Sequence, residues 1–195
     1  IHRMSTLKVS TISPLGTDST KTITLGESAG TLAIASGAKT SGFGKIGQVL
    51  STTKTDTFGT SSNSFVDITG FSVNITPSST SSKIFLTATF NWTGVNGATA
   101  AFCQLVRDTT ALCNGDASGS RASVTGANIV SDNNVSEQGA ASFLDSPSST
   151  SSLTYKMQLK SSASGTVYMN RTSDDSDNST RARGSSTITV MEVLP

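Results

Sequence analysis

Histidine is almost missing from this chain: His2 is the only one in 195 residues. An activated Ser or Cys needs a base beside it, most often His, so neither a Ser-His-Asp nor a Cys-His site is expected. Charge is scarce as well, at 14% of residues with a net of +1, and the arginines are scattered apart from Arg181 and Arg183. Such a balance provides no broad field for nucleic acid. No apolar run approaches a membrane span, and the opening IHRMSTLKVSTISP lacks the apolar core of a secretory signal, so neither membrane insertion nor classical export is expected. Good helix formers are few as a group, and apolar residues nowhere recur at helical spacing across three turns, so helix should be minimal.

Ser and Thr are abundant, together roughly a third of the chain. The branched Thr side chain suits a pleated, half-buried surface, while Ser and Gly populate turns. From Lys45 onward the pattern predicts strands near 46–52, 64–76, 83–93, 99–107, 110–114, 127–131, 139–145, 152–161, 165–171 and 186–194. In KIFLTATFNW one face carries Ile84, Leu86, Ala88, Phe90 and Trp92. Leu153, Tyr155, Met157 and Leu159 repeat the arrangement, as do Ile188 and Val190. Phe65, Ile68, Phe71, Val73, Ile75, Phe102, Val106, Phe143 and Val167 are also expected to point inward. So many short alternating strands imply an all-β fold: an antiparallel β-sandwich, a jelly roll, over residues 46–195.

Residues 1–45 differ. Leu7-Val9-Ile12, Ile23-Leu25 and Leu32-Ile34 are short apolar pieces spaced by Gly, Ser, Thr and Asp, each too small to build a core alone. The segment reads as an attachment and oligomerisation arm that needs a partner, or as a disordered tail. Met4 followed by STLKV reads as a start, with Ile1-His2-Arg3 an upstream start or a junction to a longer chain.

Cys103 and Cys113 lie in FCQLVRDTTALC, a hairpin turning near Asp108 and Thr109. With a two-residue loop Val106 pairs with Ala111, the cysteines face opposite ways, and a disulfide is awkward; a three-residue loop would allow one. Two reduced, packing thiols are the expected outcome. The acids Asp56, Asp67, Asp108, Asp116, Asp132, Glu137 and Asp145 read mostly as turn residues rather than as a glycosidase pair. SDDSDNSTRAR could chelate Ca²⁺, but it lacks the Gly and distal Glu of a helical calcium loop. It reads instead as a solvated hairpin loop neutralised by Arg171, Arg181 and Arg183, and no metal or cofactor is expected. Trp92 and Tyr168 are the residue types that could hold a sugar, although Trp92 falls on the core face of its strand. The sequons at Asn74, Asn91, Asn134, Asn170 and Asn178 are what this composition produces by chance.

The opening MSTLKVSTI, the central GQVLSTTKTDTFGTSSNSFVDITGFSVNITPSSTSSKI, and the closing SFLDSP, TVYMNRT and RGSSTITVMEV resemble fibre and other virion-surface proteins of tailed bacteriophages. TITLGESAGTLAIASG is similar to the short β-turn units of fibre shafts. The resemblance implies a non-enzymatic virion protein, trimeric, assembled in a bacterial cytoplasm and attached through its arm at Leu7, Val9, Ile12, Ile23, Leu25, Leu32 and Ile34 to other virion proteins of tail or capsid. Loops 114–126, 131–138 and 172–185 would then face the medium. Asn114, Arg121, Asn133, Asn134, Asp175, Asp177 and Arg181 are the candidate contacts to a host surface, a glycan among its components. The alternative is a glycan-binding or glycan-cleaving module acting on the host envelope.

Overall fold

In the computed structural model, residues 45–94, 100–129, 135–163 and 165–195 are described. They contain no helix, and the chain forms β1 (Ile46–Lys54), β2 (Phe58–Thr60), β3 (Val66–Ile75), β4 (Lys83–Thr93), β5 (Ala101–Arg107), β6 (Thr110–Leu112), β7 (Gly126–Asn128), β8 (Glu137–Asp145), β9 (Leu153–Ser161), β10 (Val167–Met169) and β11 (Ser186–Val193). Sheet A holds β1, β2, β4, β8, β10 and β11; sheet B holds β3, β5, β6, β7 and β9. All pairings are antiparallel.

Three of the apparent extra strands are interruptions. β11 and β10 follow one another along the same edge of β4, at Lys83–Thr89 and Trp92–Thr93, and β1 and β2 continue beside them. β6 and β7 likewise share one edge of β5. Merging these pairs leaves eight strand positions, with order 1-8-3-6 in sheet A and 2-7-4-5 in sheet B. That is the strand order of a jelly roll, two Greek keys folded into a sandwich. Because of these interruptions, residues 113–125 and 170–185 leave their sheets in the middle of a strand position rather than at its end.

The core forms where the inner faces meet. Ile84, Leu86, Ala88, Phe90 and Trp92 of β4 pack with Leu153, Tyr155, Met157 and Leu159 of β9 and with Ile188 and Val190 of β11, as the alternation predicts. The Phe90 and Trp92 rings meet edge-on at 5.3 Å and 83°. A void of about 10 Å³ beside them is the size of a single water at most. In β3 the pairing to β9 jumps from Asp67 to Ser72, a bulge containing Gly70 at φ 75°. The extra residues reset the alternation, which lets Ile68 and Phe71 point into the same core.

Several expectations need correction. On β5 the inward residues are Ala101, Cys103 and Leu105, so Phe102 faces outward and Val106, though buried, stands outside the core cluster. The run AFCQLV is apolar at both parities, and it is the pairing to β9 that selects one. Phe65 is also on the outer side, where the Lys160 ammonium lies 4.7 Å from its ring centre and 5.5 Å from that of Phe102. Phe143 does pack against the core. β2 was not anticipated, being three residues long, and β7 spans Gly126–Asn128 rather than 127–131. The hairpin has its two-residue loop, with Val106 opposite Ala111. Cys103 is buried and Cys113 exposed, and neither is in a disulfide. Burial pushes the Cys103 thiol up to about 12, so it packs as a neutral group.

At Gly139 of β8 there is no room for a side chain, because a Cβ there would collide with the Phe90 ring. Gly139→Ala should therefore force the Phe90–Trp92 pair to shift and cost about 1–3 kcal/mol in urea unfolding. Gly115→Ala, with open space around it, should be close to neutral, and equal effects at the two sites would contradict this packing.

Candidate functional site

The excursion at 170–185 is built on Asn170. This residue is fully buried at φ 61°, a left-handed conformation that Asn tolerates. Its Nδ2 donates to the carbonyls of Lys54 at 2.9 Å and Asp56 at 3.0 Å, and its Oδ1 accepts from Ser186 Oγ at 2.6 Å. Its backbone N–H donates to Asn91 O, and its carbonyl accepts from Gly184 N. One residue, through its side chain and its backbone N–H, thus ties β1, β4 and β11 together where the chain leaves and rejoins sheet A. Asn170 was read only as a chance sequon, and its burial leaves no access for a glycan.

Beyond this anchor the loop is braced by charge pairs. Arg183 grips Asp175 with two parallel bonds of 2.8 and 2.6 Å, and Arg181 holds Asp174 at 3.0 and 2.7 Å. Arg171 lies 3.4 Å from Asp175, donates to the carbonyls of Thr172 and Ser173, and stacks 4.2 Å from the Tyr168 ring centre. Bonds from Arg181, reinforced by Ser176, hold the Asp174 carboxyl below its usual range. Two of the three aspartates are therefore occupied by guanidinium groups, and a cation would have to displace a forked pair to reach them. Among the described residues no group of three or more His, Cys, Asp or Glu side chains is placed to hold a metal.

Asp175, Asp177 and Arg181, three of the contacts expected from sequence, line one polar depression of about 290 Å³ together with Asn178 and Arg183. Asp177 has no ion-pair partner among the described residues. Asn114 and Arg121 sit apart, on the 113–125 excursion of sheet B. There Asn114 Oδ1 accepts from Thr125 Oγ1 at 3.0 Å, and Arg121 donates to Ser118 Oγ at 2.8 Å. Asn133, Asn134 and the arm residues Leu7 to Ile34 lie outside the described residues. Of the two candidate sugar platforms, Trp92 is buried in the core and Tyr168 is covered by Arg171 on one side, with Gly59 close by.

Two acids are buried, Asp145, which was read with the turn residues, and Glu192. Asp145 and Glu192 flank Ile84 across the inner face of sheet A. Asp145 Oδ2 accepts from Arg107 Nη1 at 2.5 Å and from Tyr155 OH at 2.6 Å. Burial, with Asp145 added, pushes the Tyr155 hydroxyl well above its ordinary value, so it stays protonated and donates. Glu192 Oε1 accepts from Ser78 N and Oγ at 2.6 Å each, and Oε2 from Gln48 Nε2 at 2.7 Å. Each carboxylate spends its oxygens on fixed structural donors. Nothing in the local sequence marks either one, because Arg107 and Ser78 are remote along the chain.

No known protein family matches the chain, and no curated protein does. Among solved structures it is similar to that of the infectious bursal disease virus Gx strain, at 15% identity over 76% of this chain and 37% of that one, with a TM-score of 0.40. The VP2 subviral particle of infectious bursal disease virus gives 17%, 76%, 38% and 0.32 in turn. The chain spans less than two fifths of either. The jelly-roll assignment rests on strand order and pairing, independently of these likenesses.

Asn170→Ala removes three buried side-chain bonds and the residue that tolerates this φ. It should cost about 2–4 kcal/mol in chemical denaturation. A loss below that found for exposed Asn178→Ala would contradict the anchoring role. Burial raises the Glu192 carboxyl, but the bonds from Ser78 and Gln48 outweigh it and hold the group below 4.5. A folded value below the unfolded one stabilises fully above about pH 4.5, and the contribution is lost as pH falls through the folded value. Glu192→Gln should accordingly flatten, without abolishing, the fall in melting temperature below pH 4.5; an unchanged slope would count against a charged Glu192.

Proposed function

We propose that this chain is a non-enzymatic structural protein of a virus particle, a short tail or surface fibre that contacts the host through its loops. The observation that carries the reading is the jelly-roll order of its eight strand positions combined with two braced loops that emerge mid-strand. Jelly rolls serve chiefly as viral capsid domains, lectins and cupins. A metal-dependent cupin is disfavoured by the single histidine, His2. The sequence resemblance to phage virion-surface proteins favours the first class, and because fold alone does not define function, the loops decide the rest.

In this reading residues 1–45 attach the protein, through Leu7, Val9, Ile12, Ile23, Leu25, Leu32 and Ile34, to neighbouring copies in a homotrimer or to other virion proteins. The 170–185 loop, held by its Arg–Asp forks, presents Asp177 and Asn178 in a fixed arrangement. Little ordering entropy is then lost on contact, and weak contacts gain from copy number. A host-surface glycan fits the polar depression as a hydrogen-bonding partner better than as a stacking one, since Tyr168 is covered by Arg171.

Particles assembled with a chain lacking residues 1–44 should not carry it, and its presence on purified particles would overturn the anchoring. Asp177→Ala with Asn178→Ala should lower attachment of the purified protein to host cells by roughly 10-fold, the loss of about 1.4 kcal/mol in contacts. Release of reducing sugar from host envelope polysaccharide would replace this reading with the glycan-cleaving one.

A further inference from the structure

We infer that the outer face of sheet A is the surface through which one copy of this chain packs on another. The inference deepens the homo-oligomeric part of the proposal above and rests on it. Cross-strand pairing sets Leu144 of β8 opposite Phe85 of β4, Phe85 opposite Met191 of β11, and Met191 opposite Val49 of β1. These four side chains form an apolar row that crosses the whole sheet. Its ends are well exposed, Val49 at 53% and Leu144 at 46%, and Ile46 extends it along β1 at 49%. All of these positions face away from the core, which lies on the other side of β4.

The rest of the face is prepared for loss of water. Its next two rows are mostly Ser and Thr, and across β1 and β11 their hydroxyls bond in pairs: Ser51 Oγ to Thr189 Oγ1 at 2.9 Å and Thr53 Oγ1 to Thr187 Oγ1 at 3.0 Å. Covering these two pairs leaves their hydroxyls partnered, which lowers the penalty for burying that side of the face. Lys83, at one end of β4, is the single charged residue in the outward rows of the four strands. The outer face of sheet B is of the opposite character. It carries Lys160, and Lys156 with Gln158 on Asp67, so burying it would desolvate several ions.

A second copy is the occupant that these facts favour. A face whose one ammonium sits at the end of β4 offers no charge pattern by which to select a foreign protein, and two such faces meet with little repulsion. Four strands at about 4.8 Å spacing and eight residues at about 3.4 Å make roughly 500 Å² per copy. A pair of such faces approaches about 1,000 Å², the lower bound for a specific interface. Left uncovered, an apolar row four strands wide is an association liability.

The test is the solution mass of the full chain by sedimentation equilibrium. Wild type should have a multiple of 20.0 kDa. Val49→Glu with Leu144→Glu places charge at both exposed ends of the row, and it should raise the dissociation constant by roughly 100-fold or more. Asn74→Glu, at an exposed position of β3 in sheet B, should leave the state of association unchanged. A monomeric wild type would overturn both this inference and the homo-oligomer. An oligomer that survives the double substitution would overturn this face alone. If the Glu pair unfolds by circular dichroism, Val49→Ser with Leu144→Ser replaces it, and the expected weakening is roughly 10-fold. No weakening would again sink the proposal.

Discussion

The alternation of β4 is the constraint on which the rest of the molecule depends. Every other element of sheet A reaches the sheet through it: β8 along one edge, β11 and β10 along the other, with β1 and β2 beyond them. Its inner side, from Ile84 to Trp92, is the floor of the core, and its outer side carries Phe85 in the middle of the exposed apolar row. A slip of one residue would exchange the two sides, placing Thr87, Thr89 and Asn91 in the core. The register of this one strand therefore sets the interior and the outer face together.

Polar groups inside the sandwich are matched by fixed partners, and among the described residues Ser82 Oγ is the buried side-chain atom left without one. Asp145 has Arg107 and Tyr155, Glu192 has Ser78 and Gln48, and Asn170 has the carbonyls of Lys54 and Asp56. Lys54, 3% exposed, reaches Asp56 near the surface at 2.8 Å. With these groups committed to structure, what remains for recognition lies outside, and there the two sheets part company. The outer face of sheet A has Lys83 as its one charge and is banded with apolar side chains, that of sheet B is charged, and the 170–185 excursion is polar and largely paired within itself. A protein meant to be assembled on one face and wetted on the other would divide its surface in this way.

Much of this was legible in the amino-acid order. The strands of the core betray themselves by period-two alternation, and the scarcity of histidine, His2 alone, and the absence of helical periodicity narrow both chemistry and class. Legibility failed where the local signal was symmetric or distant. AFCQLV is apolar at both parities, so only the pairing of β5 with β9 chose Cys103 over Phe102. Phe58–Thr60 is too short to show a period. Asp145 resembles any acid before Ser-Pro until Arg107 and Tyr155 converge on it from other strands. SDDSDNSTRAR is composed like a chelating loop, and it is the reach of Arg181 and Arg183 back to Asp174 and Asp175 that turns it into a braced hairpin.

By itself, the sequence determined that the chain is all-β, which strands are buried on one side, and that His2 is its one histidine. These follow from composition and nearest-neighbour spacing, which are local properties. Only the tertiary structure decided that the eleven strands of the described residues occupy eight jelly-roll positions, that Asn170 anchors the long excursion, and that Leu144, Phe85, Met191 and Val49 form one row. Those four residues lie on four strands from distant parts of the chain, and only hydrogen-bond register across a sheet can bring such residues side by side.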